Sequence, residues 1–375
     1  MADKDQAEDP FAPRRNPELL GHEAAEHRFL AGWRSGRLPH GWLIAGPKGI
    51  GKATLAFRIA RFVLSSGSAP AADDGPGLFG DEPVAAPETL FVDPESPVAR
   101  RIATGSHADL ITLQREVNPD TSALRTSISV ENVRKAGEFM RMTAGEGGWR
   151  VIVVDSADEM NPNAANALLK MLEEPPERVL LLLVSHSPGR LLPTIRSRCC
   201  RLSLNPPPPE TVASIIEKHR PDLSGEDRIA LAALSEGSPG RALSLADEGG
   251  LELYRALVSL LSQLPNADTA TLHAFSDGLA RRGAEEKFRT VSMLLSWWIG
   301  RLARAGARGD AEGLAPIVAE EAGCAARLLA AAGVDRWMEV WEKVNSLADQ
   351  TDRLNLDRKQ IVLNMFAAMQ RAMRA

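Results

Sequence analysis

The stretch of sequence that decides the fold runs from 150 to 201. It begins with Arg150-Val-Ile-Val-Val-Asp155-Ser156, continues with the helical pattern Asn163-Ala-Ala-Asn-Ala-Leu-Leu-Lys-Met-Leu and reaches a second apolar run, Val179-Leu-Leu-Leu-Leu-Val-Ser185. Both apolar runs are continuous rather than alternating, which is typical of strands that are covered on both faces in a parallel sheet. With the amphipathic helix between them they predict a βαβ unit. Asp155 would then stand at the carboxyl end of a strand, where ligands bind in such sheets.

A glycine-rich loop lies upstream, after a further apolar run over 42–45. It reads Gly46-Pro-Lys-Gly-Ile-Gly-Lys52-Ala53-Thr54 and fits the phosphate-loop pattern G-x-x-x-x-G-K-[ST] except at its last position. Its three glycines, Gly46, Gly49 and Gly51, allow backbone N–H groups to surround a phosphate, and Lys52 adds a positive charge at the start of a helix. Asp155 is then predicted to be the acid on the metal side of the same site. The alternative for Asp155 is a helix cap without a ligand.

Three segments in this order resemble the bacterial clamp-loader ATPases, which are members of the AAA+ class. They are the loop with the preceding Leu38-Pro-His-Gly-Trp-Leu-Ile-Ala, the helix from Ala164 to Pro176, and Ser197-Arg198-Cys199. The likeness covers about residues 20–245 and is a matter of pattern beyond that. It implies a doubly wound parallel-sheet α/β domain of the AAA+ type, then a small helical lid, then an all-α helical-bundle collar that serves oligomerisation.

Two positions depart from what the resemblance implies for an active ATPase. Family members carry Ser or Thr where this chain has Ala53, and the missing hydroxyl is a ligand of Mg²⁺. We include Thr54, the next residue, among the predicted nucleotide-site residues. Its side chain is rotated by about 100° around the helix relative to that of Ala53, so its hydroxyl is expected to point elsewhere. Active members also place Glu after the strand-end Asp, whereas Ser156 is too weak a base to activate water. The resemblance thus implies a degenerate site without hydrolysis.

Two arginines are further candidates. Arg198 matches the arginine that related loaders insert into the ATP site of a neighbouring subunit, where it stabilises the charge that develops on the phosphoryl group. The alternative is a surface arginine paired with Glu173 or Glu174. Arg241, in Gly237-Ser-Pro-Gly-Arg241, matches the lid arginine of the class. A solvated arginine at a helix start is the competing interpretation.

Composition limits the function classes. The chain has 375 residues and a formal net charge of −5, so two or three domains are expected and any contact with DNA must be local or made through partners. Its cysteines, Cys199, Cys200 and Cys324, are too few for a disulfide framework or a four-ligand zinc site. No metal site is predicted, and the zinc module of related loaders is expected to be absent or reduced to a loop. The few cysteines predict a reduced, cytoplasmic setting. The polar, acidic N-terminus and the lack of a long apolar run indicate neither secretion nor membrane insertion.

Composition also sets the expected boundaries. Residues 1–16 are charged and contain proline, which indicates a disordered leader, and 17–205 form the nucleotide-fold domain. Within it, 65–100 are rich in Ser, Gly, Pro, Ala and Asp and are predicted to be a flexible insertion. A four-proline run then separates a helical lid over 206–249 from the collar over 250–375. Trp297 and Trp298 belong either to the core of this collar or to a partner surface.

The resemblance therefore implies a subunit that does not hydrolyse ATP, requires no cofactor and has a degenerate site for ATP or ADP. Its implied partners are the gamma or tau and delta subunits in a pentameric ring, the sliding clamp, and primer-template DNA through the complex. Its role would be to help load the clamp during DNA replication. The first alternative is an active motor subunit of the gamma or tau type. The second is a DNA-binding helicase loader or branch-migration factor, which basic stripes or an added DNA-reading domain would favour.

Overall fold

The computed structural model describes residues 12–66, 87–118, 124–146, 148–310, 315–321, 323–354 and 356–374. The chain divides into two compact units, one of Met1–Thr211 with Gly237–Gly240 and one of Val212–Glu236 with Arg241–Ala375. Most of the predicted leader and the centre of the predicted insertion lie outside the described residues. No helix in the described ranges is both long enough and apolar enough to cross a membrane.

A five-stranded parallel sheet organises the first unit. Its strands are β1 (Gly41–Ala45), β2 (Leu110–Leu113), β3 (Arg150–Val154), β4 (Val179–Ser185) and β5 (Cys200–Ser203). Their order across the sheet is β2-β3-β4-β1-β5, and every neighbouring pair is parallel. In the register of the central strands, Ala45 pairs with Ser185 and Val154 pairs with Leu183. The carboxyl ends of β1, β3 and β4 therefore meet at one edge.

Helices cover both faces of this sheet. They are α1 (Glu23–Arg34), α2 (Lys52–Ser66), α3 (Pro97–Thr104), α4 (Val130–Arg141), α5 (Pro162–Glu173) and α6 (Pro193–Arg198). Leu180 and Leu182 of β4 pack into a core shared with α1, α2 and α3, whereas Leu181 and Leu183 pack into a second core shared with α4, α5 and α6. Alternate residues of one strand thus enter opposite cores, as continuous apolar runs predict. The prediction of a doubly wound α/β domain is confirmed.

Local apolar patterns predict two features that the structure does not contain, namely a short strand over 128–130 and a first helix that begins at 18. Ile128 and Val130 are apolar, but no strand forms there, because Ser129 caps helix α4 by accepting a hydrogen bond from the N–H of Asn132. Ile128 keeps only an isolated bridge to Met160. The first helix begins at Glu23 rather than at 18, after Gly21, whose φ of 81° lies in the left-handed region.

The described ends of the predicted leader and insertion are packed. The carbonyl oxygen of Arg14 accepts a hydrogen bond from the Arg61 guanidinium at 2.9 Å. Leu90 is only 1% exposed, and helix α3 begins at Pro97, so the described end of the predicted insertion contains a buried residue and a regular helix. Both segments find buried partners that their composition does not reveal.

The helices after the sheet are α7 (Pro209–His219), α8 (Gly225–Leu234), α9 (Pro239–Asp247), α10 (Gly250–Ser262), α11 (Thr269–Ala280), α12 (Glu285–Arg308), α13 (Cys324–Ala331), α14 (Val334–Leu354) and α15 (Arg358–Arg374). Among the described residues the second unit contains no strand. Its core includes Tyr254, Trp298, Trp337 and Phe366, each at most 1% exposed. The predicted lid over 206–249 is not a separate body in this division of the chain, since part of it clusters with the later helices. The finer three-part division stays a prediction.

Among the described side chains of the second unit, Glu321 carries the one buried carboxylate. Its Oε1 accepts hydrogen bonds from Trp298 Nε1 at 2.9 Å and from Arg301 at 2.7 Å, and its Oε2 accepts one from the N–H of Ile317 at 2.7 Å. These bonds tie the segment before α13 to helix α12.

Candidate functional site

The predicted site residues of the first unit gather at one edge of the sheet. The loop 46–51 leaves β1, Asp155 follows β3, and His186 follows β4. Because β3, β4 and β1 are neighbours in the sheet, these three chain segments lie side by side. The topology thus brings Gly46, Gly49, Gly51, Lys52 and Asp155 into one region, as the sequence predicted.

The carbonyl groups of the loop from 46 to 50 all accept hydrogen bonds from protein donors. The pairs are Lys52 Nζ to Gly46 O (2.7 Å) and to Pro47 O, Ser238 Oγ to Lys48 O (2.9 Å), Gly240 N to Gly49 O (2.9 Å) and His22 Nε2 to Ile50 O (2.6 Å). By contrast, the N–H groups of residues 48–51 donate no hydrogen bond to the described part of the chain. In this loop the carbonyl groups are bonded to the protein, and the N–H groups remain available as donors. Such an arrangement suits an anion such as a phosphate.

The loop glycines are also required by packing. Gly51 has a φ of 103°, and a Cβ there would lie 2.8 Å from Leu19 Cδ1. A Cβ on Gly46 would lie 2.5 Å from the carbonyl oxygen of Leu204. Close backbone packing therefore excludes a side chain at 46, and the positive φ disfavours one at 51, whether or not a ligand binds.

Lys52 is the central charge of the site. Its side chain is buried, with 3% of its surface exposed, and burial lowers its pKa to about 8. The negative charges of Asp158 and Asp155 raise the pKa of Lys52, but by less than burial lowers it. Burial, together with the charge of Glu159, raises the pKa of Asp155, while Lys52 lowers it. The site thus holds a lysine and an aspartate that each partly compensate the burial of the other.

Ser156 takes the place where an active relative would carry a catalytic glutamate, and it has an unusual backbone. Its φ of 62° and ψ of 56° put it in the left-handed region, which is uncommon for a residue with a side chain. Its hydroxyl lies 3.2 Å from Nε2 of His186, and the N–H of His186 donates to Asp158 Oδ1 at 2.9 Å. Burial lowers the pKa of His186, and the charge of Lys52 lowers it further. The imidazole is therefore neutral at pH 7.

The remaining carboxylates of this turn are engaged with the protein. Burial disfavours ionisation of Asp158, but the hydrogen bond from the N–H of His186 and the nearby Ser185 hydroxyl lower its pKa overall. Glu159 forms an ion pair with Arg115 at 2.6 Å. Neither carboxylate takes the position directly after Asp155, where the water-activating acid of an ATPase would stand.

The metal side of the site has few oxygen donors. Thr54 is buried on the first turn of α2, and Ala53 before it has no hydroxyl. In the described ranges no group of three or more His, Cys, Asp or Glu side chains is arranged to hold a metal ion. Ala53 therefore supplies no oxygen ligand for Mg²⁺, while Lys52 and the loop N–H groups are suited to a phosphate.

Arg198 is the last residue of α6, which packs on α5 on the sheet face opposite to α2. Its guanidinium forms an ion pair with Glu173 Oε1 at 2.9 Å and donates to the carbonyl of Thr194 at 3.2 Å. The side chain is 37% exposed. The contact with Glu173 is the alternative that the sequence left open, and an exposed arginine of this kind remains available to a neighbouring chain.

Arg241 belongs to the second unit. Its guanidinium lies 3.6 Å from Glu236 Oε2. Burial lowers its pKa, while the charge of Glu236 acts in the opposite direction. Its predicted role at a nucleotide stays a prediction.

Sequence reasoning missed three residues of the site, namely His22, His186 and Gly240. His186 was detectable in principle, because it directly follows the polar end of an apolar strand. His22 and Gly240 were not, since their hydrogen bonds to Ile50 and Gly49 join residues that are far apart in the chain.

Comparison with known proteins identifies the family. A family model described as "DNA polymerase III, delta subunit" matches residues 84–208. A DNA polymerase III subunit delta′ from Pseudomonas aeruginosa is 37% identical over 227 residues, which are 60% of this chain and 61% of that protein. The match thus spans about three fifths of the length of that relative.

Two further proteins are similar over more of their length. A DNA polymerase III subunit delta′ from Yersinia pestis is 30% identical over 278 residues, or 72% of this chain and 73% of that protein. A solved structure of a DNA polymerase III gamma subunit-related protein from Thermotoga maritima matches with 17% identity and a TM-score of 0.36, covering 92% of this chain and 100% of that one. On the strength of the delta′ matches, the chain belongs to the family of DNA polymerase III delta-prime subunits.

Proposed function

We propose that this chain is a clamp-loader subunit that binds ATP or ADP weakly at a degenerate site, does not hydrolyse ATP, and acts through its neighbours. In this role it helps to place the sliding clamp on primed DNA during replication, in the cytoplasm. The proposal rests on membership of the delta-prime family and on the residues at the sheet edge. The clamp, the DNA and a pentameric ring with gamma or tau and delta subunits are parts of the proposal.

One observation carries the absence of hydrolysis. The residue after Asp155 is a serine whose hydroxyl lies 3.2 Å from the imidazole of His186. A hydroxyl does not remove a proton from water near neutral pH, and the neutral imidazole beside it is occupied by that contact. The nearest carboxylates, Asp158 and Glu159, are bonded to His186 and Arg115.

Binding of a nucleotide is compatible with the loop even without hydrolysis. A bound ATP or ADP would supply phosphate oxygens that accept hydrogen bonds from the loop N–H groups and from Lys52. The loop would hold and orient the phosphates, since the N–H groups of residues 48–51 have no acceptor in the described part of the chain. Affinity is expected to be modest, because Lys52 is already bonded to the carbonyls of Gly46 and Pro47.

A large apolar groove in the second unit supports assembly through the 250–375 region. It has a volume of about 830 Å³ and lies between α12 and α14. Met293, Met338 and Trp341 line it and are 37%, 40% and 36% exposed. Methionine, tryptophan and arginine are enriched in protein interfaces, and exposed apolar patches of this kind mark interaction sites.

The experiment that tests assembly is co-purification with a tagged full-length chain. We expect the other loader subunits to be recovered with the wild type and with Ile229→Glu, which changes an exposed apolar residue (66% exposed) outside the groove. Trp341→Glu is expected to lower their recovery at least tenfold. Equal recovery with both variants, or no partner subunit with the wild type, would contradict the proposal.

The alternative of an active gamma- or tau-type motor makes a different prediction. It requires phosphate release by the isolated chain, whereas the present proposal requires none. Ala53 and Ser156 disfavour that alternative, since they remove the Mg²⁺ ligand and the base.

A further inference from the structure

A second, smaller depression lies in the second unit between α10, α11 and the start of α12. Its volume is about 390 Å³. The apolar side chains of Leu253, Phe275 and Leu279 line its interior, and Arg281, Arg282 and Lys287 surround it. It is distinct from the groove between α12 and α14, with which it shares no lining residue.

The three surrounding cations are exposed, and in the described part of the chain none of them forms an ion pair. Three carboxylates that lie close to these cations in the sequence form ion pairs with other residues. The pairs are Asp277 with Lys359 (2.6 Å), Glu285 with Arg358 (2.7 Å) and Glu286 with Arg289 (2.6 Å). The depression therefore has an excess of three positive charges on a chain whose formal net charge is −5.

We infer that this depression binds an acidic segment of a partner protein that carries an apolar side chain among its carboxylates. Arginine binds carboxylates with two parallel hydrogen bonds, and exposed arginines and a lysine around an apolar interior provide both parts of such a contact. The proposal does not depend on the nucleotide site or on the groove between α12 and α14.

A nucleic acid is the other anionic polymer to consider. Single-stranded nucleic acid binds by stacking bases on exposed aromatic rings beside basic residues. Phe275 is only partly exposed, and no Trp or Tyr lines the depression. The combination of a recessed apolar interior and unpaired cations favours a peptide with carboxylates.

The test uses the full-length protein and a fluorescein-labelled peptide, Gly-Glu-Asp-Leu-Asp-Glu-Phe-Gly with blocked ends, followed by fluorescence anisotropy. We expect saturable binding by the wild type, and at least tenfold weaker binding after Arg281→Glu with Arg282→Glu. A matched control makes the same change of charge at Arg371 and Arg374, two exposed residues of α15, and is expected to alter affinity less than twofold.

Two further measurements separate the contributions of the apolar interior and of the positive charges to binding. A peptide in which Leu and Phe are replaced by Ser is expected to bind at least fivefold more weakly, because it loses the apolar contact. If the double variant does not fold, Lys287→Glu at an exposed position provides the same comparison. Absence of binding by the wild type, equal losses in the control, or displacement of the peptide by a single-stranded oligonucleotide at lower concentration would each overturn the inference.

Discussion

The hydroxyl of Ser156 and the Nε2 of His186 are 3.2 Å apart, and this contact joins the carboxyl ends of β3 and β4. It places two groups that are neutral at pH 7 where an ATPase needs a carboxylate facing water. The left-handed backbone of Ser156, with a φ of 62°, accompanies this contact. At this edge of the sheet, the position directly after Asp155 thus carries a hydroxyl that contacts an imidazole, and not a carboxylate.

The first prediction follows directly. We expect the isolated chain to release phosphate from ATP no faster than a Lys52→Ala variant, because both lack a base and a Mg²⁺ hydroxyl ligand. Steady-state phosphate release by carefully purified protein is the measurement. Turnover that survives purification and disappears in Lys52→Ala would assign hydrolysis to this chain.

Nucleotide binding is predicted to be independent of magnesium. With alanine at 53, the affinity for ADP measured by calorimetry should change less than about threefold between Mg²⁺ and EDTA, because no hydroxyl holds the metal. Ala53→Thr restores that hydroxyl and is expected to make binding stronger with Mg²⁺ than without it. A strong Mg²⁺ dependence of the wild type would refute the assignment of Ala53.

The stability of the first unit is predicted to depend on pH through Lys52. Burial lowers the pKa of Lys52 from 10.5 to about 8, so between these values the unfolded chain binds the proton more tightly than the folded chain. The free energy of unfolding of the wild type should therefore rise with pH across this window, relative to Lys52→Met, by up to about 3 kcal/mol. Denaturant unfolding at pH 7, 9 and 10 measures the difference. Lys170→Met, at an exposed position, should show no such trend, and a flat difference for Lys52→Met would rule out the effect.

Arg198 is predicted to act on the nucleotide of a neighbouring subunit. In a reconstituted loader, Arg198→Ala should lower clamp-stimulated ATPase and clamp loading, because loss of one arginine finger costs about three to five orders of magnitude at a single site. The bulk loss is expected to be smaller, since other sites keep their own arginines. Arg196→Ala, on the same exposed helix end, serves as the control.

Glu173→Gln separates the two interpretations of Arg198. It removes the 2.9 Å ion pair but leaves the arginine in place. An exposed pair contributes at most about 1 kcal/mol to stability, so this variant should load clamps normally if the arginine acts in trans. Equal, small effects of Glu173→Gln and Arg198→Ala in an intact complex would reduce Arg198 to a surface residue.

Removal of the Glu321 carboxylate is predicted to destabilise the second unit strongly. Glu321→Ala leaves the Arg301 guanidinium and the Trp298 N–H without their acceptor in a core where the Glu321 side chain is 2% exposed. Breaking a buried pair in this way costs about 3–5 kcal/mol. Chemical unfolding of the full chain measures the loss, and Glu320→Ala, at the neighbouring exposed residue, should change stability by less than about 0.5 kcal/mol. A loss for Glu321→Ala no larger than for this control would show that the carboxylate does not hold the segment.

The parts of the fold that the sequence predicts are those with local signals. Continuous apolar runs identified β3 and β4, and the glycine-lysine loop identified the start of α2. The missed parts depend on distant contacts. The apolar character of Ile128 favours a strand, whereas Ser129 beside it caps a helix. No local pattern indicates that His22 would reach Ile50.

The contact between Gly240 and the phosphate loop limits which residues can stand at position 240. A Cβ on Gly240 would lie 3.1 Å from both the Cα and the carbonyl oxygen of Gly49, and the two backbones are joined by a hydrogen bond. A side chain at 240 would therefore have to displace the backbone of Gly49. A substitution at this position would thus alter the shape of the phosphate loop from outside it, with no change in the sequence of the loop itself.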